Sequence, residues 1–251
     1  MRLATTLRLV GWLALTLAAP VAGAQGATAL AQFNHGSRFD DRVYELNTAT
    51  QRMSTILLDA TVPGPIGENT FFVRFFSGAF VDAQGVETGQ HTRIYGEWTT
   101  RLSLLSRARR RSTTARVRDV FIAGQLNRGG TGFRADLIGV GAKLRGPAGL
   151  LTTSSVYFRR TDGDVNALKA RTSWYLPLHV SAMAFSFEGS ADFVSASSTG
   201  PDVSAMPVVL VDVSPLFRAP RGSLGVGTEW FLHRTRGARL SAPQLIARWS
   251  F

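Results

Sequence analysis

Between His91 and Leu104 the chain alternates without a break. Arg93, Tyr95, Glu97, Thr99, Arg101 and Ser103 take one set of positions, and Ile94, Gly96, Trp98, Thr100, Leu102 and Leu104 take the other. Successive side chains on a strand point to opposite faces, so this stretch predicts a strand with one face suited to water and one suited to hydrocarbon. The pattern returns in Leu168 to Leu176, where Lys169, Arg171, Ser173 and Tyr175 oppose Leu168, Ala170, Thr172, Trp174 and Leu176. It returns again in Phe185 to Phe193, where Ser186, Glu188, Ser190 and Asp192 oppose Phe185, Phe187, Gly189, Ala191 and Phe193. In Leu240 to Phe251 the apolar positions are Leu245, Ala247, Trp249 and Phe251, against Gln244, Arg248 and Ser250, with Ile246 the single apolar residue on the polar side. An apolar edge strand left unpaired invites aggregation, and pairing this segment with the first strand of a closed barrel removes the edge.

Less regular members fill the intervals. Thr28 to His35 and Arg52 to Thr61 are expected as the first two strands, followed by Thr70 to Val81, with Phe71, Val73, Phe75 and Ala79 outward and Arg74 inward. Arg118 to Asn127 sets Asp119 and Gln125 against Val120, Ile122 and Leu126. Phe133 to Lys143 is read with Arg134 and Asp136 inward, and Leu150 to Arg159 with Tyr157 and Arg159 inward. Ala205 to Ser214 and Ser223 to His233 complete the set, the latter with Glu229 opposing Leu224, Val226, Trp230 and Leu232. The total is about twelve, the even number that bacterial barrels use. With the last strand ending on the periplasmic side, connections near residues 35–51, 82–90, 128–131, 160–166, 196–204 and 234–239 face outward. Those near 62–69, 105–117, 145–149, 177–181 and 215–222 then face the periplasm.

Alternation alone does not separate a membrane barrel from a soluble sandwich, whose apolar face is a packed core. Three features decide for the membrane. Charges of both signs sit in mid-strand on the polar face, as Arg93 with Glu97. Trp98, Trp174, Trp230 and Trp249 all fall on the apolar face, as an aromatic girdle requires. The third is the start of the chain: Arg2 and Arg8 precede the apolar run Leu9 to Ala19, Pro20 breaks it, and Ala22-Gly23-Ala24 offers a small-x-small cleavage site before Gln25. Those are the parts of a secretory signal peptide, too short in its apolar core to span a bilayer of about 30 Å. The expected organisation is therefore a signal peptide over residues 1–24 and an all-β, transmembrane antiparallel β-barrel over 25–251, located in the bacterial outer membrane. Cysteine is absent, which removes disulfides, thiolate metal sites and cysteine nucleophiles.

The segments Gly67 to Phe80 (GENTFFVRFFSGAF), Tyr95 to Leu104 (YGEWTTRLSL), Ser173 to Pro177 (SWYLP), Phe185 to Phe193 (FSFEGSADF) and Pro243 to Phe251 (PQLIARWSF) occur in that order. In strand order and in these aromatic-plus-acid pieces the chain resembles the Tsx-like family of nucleoside-specific channel-forming outer-membrane proteins, as a divergent branch. The resemblance runs from about Leu30 to Phe251. It implies a monomeric twelve-stranded barrel that passes nucleosides or similar small polar solutes. This chain is richer in arginine than that family.

On the inferred lumen face, Asp59, Glu97, Asp119, Asp136, Glu188, Asp192, Asp212 and Glu229 are matched one for one by Arg74, Arg93, Arg101, Arg134, Arg159, Lys169, Arg171 and Arg248. The net charge of +11 therefore belongs mainly to turns and loops. A balanced lumen suits neutral polar solutes better than ions, and the same residues can equally serve as ion-pair ladders between neighbouring strands. Phe72, Phe76, Tyr95, Phe121, Tyr157, Tyr175 and Phe231 share that face, where flat rings can stack on a nucleobase or fill volume. The candidate pore-lining and solute-binding residues are Arg74, Phe76, Arg93, Tyr95, Glu97, Arg101, Asp119, Arg171, Glu188, Asp192 and Glu229. A twelve-stranded barrel lies between the filled eight-stranded and the open sixteen-stranded kind, so a narrow, partly occluded pore is expected.

Arg107, Arg109, Arg110, Arg111 and Arg116 form the densest basic run, a solvated turn or a contact for anionic lipid or cell-wall polymer on the periplasmic side. Export sets nucleic acid aside as its partner. Arg234, Arg236 and Arg239 lie on the outer side, within reach of lipopolysaccharide phosphates. His35, His91, His179 and His233 have no His-x-x-x-His spacing, and no cofactor is called for. Two other classes remain open from sequence: a structural or adhesive outer-membrane barrel, and a barrel-embedded lipid hydrolase using a pair such as His91 with a nearby serine.

Overall fold

The structure, a computed structural model, describes residues 28–42, 50–81, 87–105, 115–129, 132–197, 200–234, 236 and 238–250, with side chains described there except for 29–31, 33–42, 50–55, 76–81, 87–93, 238–240 and 242. The expected signal peptide, its Ala24 site, Arg107 to Arg111 of the basic run and Phe251 lie outside the described residues.

Among the described residues twelve strands follow one another: β1 (Thr28–Arg42), β2 (Thr50–Pro63), β3 (Gly67–Val81), β4 (Glu87–Ser103), β5 (Val117–Gly129), β6 (Arg134–Arg145), β7 (Leu151–Thr161), β8 (Ala167–Val180), β9 (Met183–Val194), β10 (Asp202–Asp212), β11 (Leu224–Arg234) and β12 (Ala238–Ser250). Each is antiparallel to its sequence neighbours, and β1 pairs with β12 from Leu30↔Ser250 to Arg42↔Ala238, which closes the sheet on itself. One rim carries the start of β1 and the end of β12. We call it the terminal rim and the other the distal rim. Among the described residues no helix is long and apolar enough to cross a membrane, a statement that does not bear on a barrel, whose crossings are strands.

Alternation in the sequence becomes alternation across the barrel wall. Ile94, Trp98 and Leu102 on β4, Ile122 and Leu126 on β5, Val156 and Phe158 on β7, Trp230 and Leu232 on β11, and Leu245 and Trp249 on β12 all face outward and are exposed. Neighbours in the same strands, such as Thr99, Asp119, Phe121, Gln125, Tyr157, Glu229 and Gln244, are buried inside, as is Lys169 on β8. Among the described residues the wall thus presents an apolar outer belt and a mixed polar and aromatic interior, the inverse of a soluble fold.

Several strands run further than their sequence pattern predicts. β1 continues past His35 to Arg42, and β8 continues through Pro177, opposite Ser186, to Val180. The expected connection over 177–181 shrinks to a turn at 181–182, with Ser181 at φ 56°. Ladder bonding sustains these extensions where the side-chain alternation has already faded. β3 begins at Gly67, which takes Glu68 out of an expected turn and into the lumen.

In β6 the expected facing is reversed. Ala135 and Leu137 are buried inside, while Arg134 and Asp136 are exposed outside beside Ile138 and Val140. The inward places below are Gly139 and Gly141, whose missing side chains leave room for two rings. A Cβ on Gly139 would fall 2.7 Å from Tyr157 Cδ1, and one on Gly141 would fall 2.5 Å from Phe121 Cζ. Packing of those rings outweighs the preference of two charges for the interior, because near the distal rim charges can reach water or headgroups from outside.

The facing of β6 is testable. Val140→Lys, at an outward position 58% exposed, is expected to cost about 2–4 kcal/mol in a bilayer, read as a lower urea midpoint for the folded form. Ser173→Lys, on the lumen face of β8, is expected to assemble as the parent does. Equal loss in both variants would contradict the assignment.

Candidate functional site

The interior is the candidate site, and its charged side chains are joined mainly across the barrel. Glu97 on β4 accepts a hydrogen bond from Tyr95 at 2.7 Å and one from Arg171 on β8 at 2.9 Å. Arg171 Nε lies 3.7 Å from Asp192 on β9, and Asp192 also lies 3.5 Å from Lys169 Nζ. β4 and β8 are four strands apart round the ring, so the Glu97–Arg171 pair is a brace across the lumen.

A second set spans another part of the interior. Arg74 on β3 reaches Glu229 on β11 at 3.9 Å and the Met206 sulfur on β10 at 3.6 Å. Gln32 on β1 donates to Glu229 at 3.1 Å, and its carbonyl oxygen accepts from Arg248 Nη2 at 2.7 Å and Nε at 2.9 Å. Arg248 also pairs with Glu188 on β9. A third set joins Glu68 on β3 to Arg101 on β4 and to Lys143 on β6, both at 2.6 Å. Beside it, Ser103 donates to Asp119.

Between the charges sit rings. Phe121 and Tyr157 are 0% and 1% exposed and pack with Ala123, Ala135 and Leu137, with Phe133 against them. The Arg101 guanidinium lies 5.5 Å from the Phe121 ring centre, and that of Arg74 lies 5.5 Å from the Phe72 centre. Tyr95 meets Phe72 edge-on at 6.5 Å. On the opposite wall Val208, Leu210 and Ile246 form a small buried apolar cluster, which accounts for Ile246 on the polar side of β12.

Of the residues predicted to line a pore, Tyr95, Glu97, Arg171 and Asp192 come together in one cluster, and Arg74 and Glu229 in another. Glu188 joins the second cluster through Arg248, Arg101 joins Glu68, and Asp119 is held by Ser103. Phe76 and Arg93 pair in the register of β3 with β4, but their side chains lie outside the described residues. Arg134 and Asp136, expected inside, face outward as described. Asp212, also expected in the lumen, caps the turn after β10: its carboxylate accepts from the backbone N–H groups of Ser214 and Gly222, each at 2.9 Å. Glu68, Lys143 and Gln32 were missed. Glu68 falls within the turn expected over 62–69, Lys143 falls on the outer face when β6 is read with Arg134 and Asp136 inward, and Gln32 carries no charge to draw notice.

The expected ion pairs between adjacent strands are present, in Glu68 with Arg101 and in Asp192 with Lys169 and Arg171, and beside them Arg74–Glu229, Lys143–Glu68, Arg171–Glu97 and Arg248–Glu188 each skip two or more strands. A brace of this kind is worth little net when both partners are present, because desolvation offsets most of the attraction. Losing one partner leaves a buried charge, at a cost of about 3–5 kcal/mol. His233 faces Asp202 at 2.8 Å, and the side chain of His91 lies outside the described residues. Among the described residues no group of three or more His, Asp or Glu is placed to hold a metal.

No family model matches this chain, and no curated protein matches it. Solved structures do. An outer membrane channel from Pseudomonas putida F1 superposes with a TM-score of 0.53 at 5% identity, over 90% of this chain and 95% of that one. The KdgM porin in complex with disordered oligogalacturonate gives a TM-score of 0.49 at 6% identity over 88% of this chain and 99% of that one. The translocator domain of the autotransporter NalP from Neisseria meningitidis gives 0.41 at 10% identity over 99% and 98%. The Pseudomonas superposition shows a shared fold, the closed antiparallel β-barrel.

Two measurements probe the interior. A double-mutant cycle on Glu97→Gln and Arg171→Gln is expected to return a coupling of about 1–3 kcal/mol in urea unfolding, and a coupling near zero would mean that the brace does not form. Gly141→Ala sets a methyl 2.5 Å from Phe121 Cζ and 2.5 Å from the Ser154 carbonyl oxygen, and is expected to destabilise by about 1–3 kcal/mol through overpacking.

Proposed function

We propose that the protein is a non-enzymatic outer-membrane channel for passive uptake of small polar solutes, nucleosides first among them, and a divergent member of the Tsx-like family. The observation that carries the reading is the interior itself. Most of its described charges are held in ion-paired clusters among flat rings, an environment suited to hydrogen-bonding neutral molecules with an aromatic part and unsuited to strong ion selection. The outer belt and the fold support a place in the outer membrane, with bilayer lipid and lipopolysaccharide as surroundings. The resemblance to the Tsx-like family implies that the chain acts as a monomer. Export uses residues 1–24 as a signal peptide, and membrane-extracted protein should begin at Gln25 by intact mass. A retained Met1 would count against that processing.

In this reading Arg74, Phe76, Arg93, Tyr95, Glu97, Arg101, Asp119, Arg171, Glu188, Asp192 and Glu229 line the route, and the braces make it narrow. A solute displaces a brace by offering its own donors and acceptors, so binding is modest, with dissociation constants of high-micromolar to millimolar order, about 4–6 kcal/mol. Adding adenosine or thymidine to single channels in a planar bilayer is expected to reduce current saturably. Glu97→Gln is expected to change that block while leaving assembly intact, since Arg171 keeps Asp192. If neither nucleoside blocks while sugars pass in liposome swelling, the channel stands and the nucleoside assignment falls.

The cross-lumen bracing specifically favours one other reading, a structural barrel that conducts nothing. Absence of conductance both in the parent and in Glu97→Gln would decide for it.

A further inference from the structure

We propose that Arg128, Arg134 and Arg160, on the outer wall at the distal rim, form a binding site for the phosphate groups of the phosphorylated glycolipid of the outer leaflet, lipid A. This rests on the outer-membrane reading, with the terminal rim on the periplasmic side.

The three residues come from consecutive strands, near the ends that meet the distal connections. Arg128 stands directly opposite Arg134, and Asp136 directly opposite Arg160. All four are exposed on the outward face. Arg128 is fixed along the wall: its Nη1 donates to Asp136 Oδ1 and to the Asn127 carbonyl, each at 2.8 Å, and to the Ala135 carbonyl at 3.4 Å. Asp136 is thereby committed to Arg128. Among the described residues neither Arg134 nor Arg160 has an ion-pair partner. Asp162, the next acid along, meets Arg134 only through its backbone N–H, 3.0 Å from the Arg134 carbonyl.

Like charges directly opposite on a sheet destabilise it, so the Arg128–Arg134 pair is a place where an external anion restores balance. The strands are apolar on the membrane side of the arginines. Leu126, Ile138 and Phe158 are exposed there on the same outward face. A ligand that fits must carry anionic oxygens within a few ångströms of hydrocarbon, which describes a lipid rather than a soluble anion. Guanidinium groups bind phosphate through paired, charge-assisted hydrogen bonds. Two free guanidinia beside a tethered third suit a head group bearing two phosphates better than the single diester of a phospholipid.

The test uses the full-length mature barrel in nanodiscs of neutral phosphatidylcholine, with bound lipid counted by native mass spectrometry. The probes are doubly phosphorylated lipid A, the same lipid dephosphorylated, and phosphatidylglycerol. The parent is expected to hold lipid A about tenfold or more tighter than either other lipid, a gap of about 1.4 kcal/mol. Arg134→Ser with Arg160→Ser should remove that preference, and Arg218→Ser with Arg221→Ser, at the terminal rim, should keep it. Equal retention of lipid A by the parent and the Arg134/Arg160 variant overturns the proposal, as does phosphatidylglycerol held as tightly as lipid A, or equal loss in the control variant. Single-channel conductance on the same preparations separates this result from the channel reading, because the Arg134/Arg160 variant should conduct as the parent does.

Discussion

Hydrocarbon offers no hydrogen bonds, so every backbone N–H and C=O within it must find a partner in the protein. An unmet group costs several kcal/mol. The pairing of β1 with β12 answers that demand for the two strands that would otherwise be edges. The outward apolar residues become tolerable only once that seam is closed, and only a closed ring gives the inward residues something to reach across to. The interior arrangement is thus a consequence of closure, with Arg248 and Gln32, on the two strands of the seam, holding each other as well.

Charge enters the lumen at a cost that the braces offset. Arg171, Glu97, Asp192 and Lys169 would each be expensive to bury alone, and together each has an opposite charge within 4 Å. Because the low dielectric strengthens attraction and penalty alike, the clusters are sensitive to a change that leaves a buried charge with no partner and nearly indifferent to the exchange of a complete pair. The rings of Phe121 and Tyr157 occupy the space between, admitted by the bare backbone of β6.

The wall was legible in the sequence and the interior only half so. Alternation in β4, β8, β9 and β12 is dense in contrast, with Trp98 against Glu97 or Trp249 against Arg248, and their facing could be assigned residue by residue. β6 reads ADLIGVGAK over Ala135 to Lys143, and glycine and alanine carry almost no signal of side. The two charges at its start read as lumenal because charge usually marks the lumen, a rule that weakens near a rim. Partner choice was out of reach for another reason. Ladder neighbours follow from register, whereas Glu97 with Arg171, or Glu68 with Lys143, depends on ring size, strand tilt and side-chain length together. Glu68 shows the limit plainly: its chemistry is visible in the sequence, but the alternation that marks its strand starts two residues after it.

The Gln32–Glu229 contact joins residues 197 positions apart, and Arg248 reaches Gln32 across 216. Contacts of that span cannot exist until the last strand has found the first, so they are missing from every partly inserted intermediate. Interactions absent on the way in raise the barrier on the way out without slowing assembly. The barrel consequently behaves as a latch: the residues that close last are the ones that set how long it stays shut.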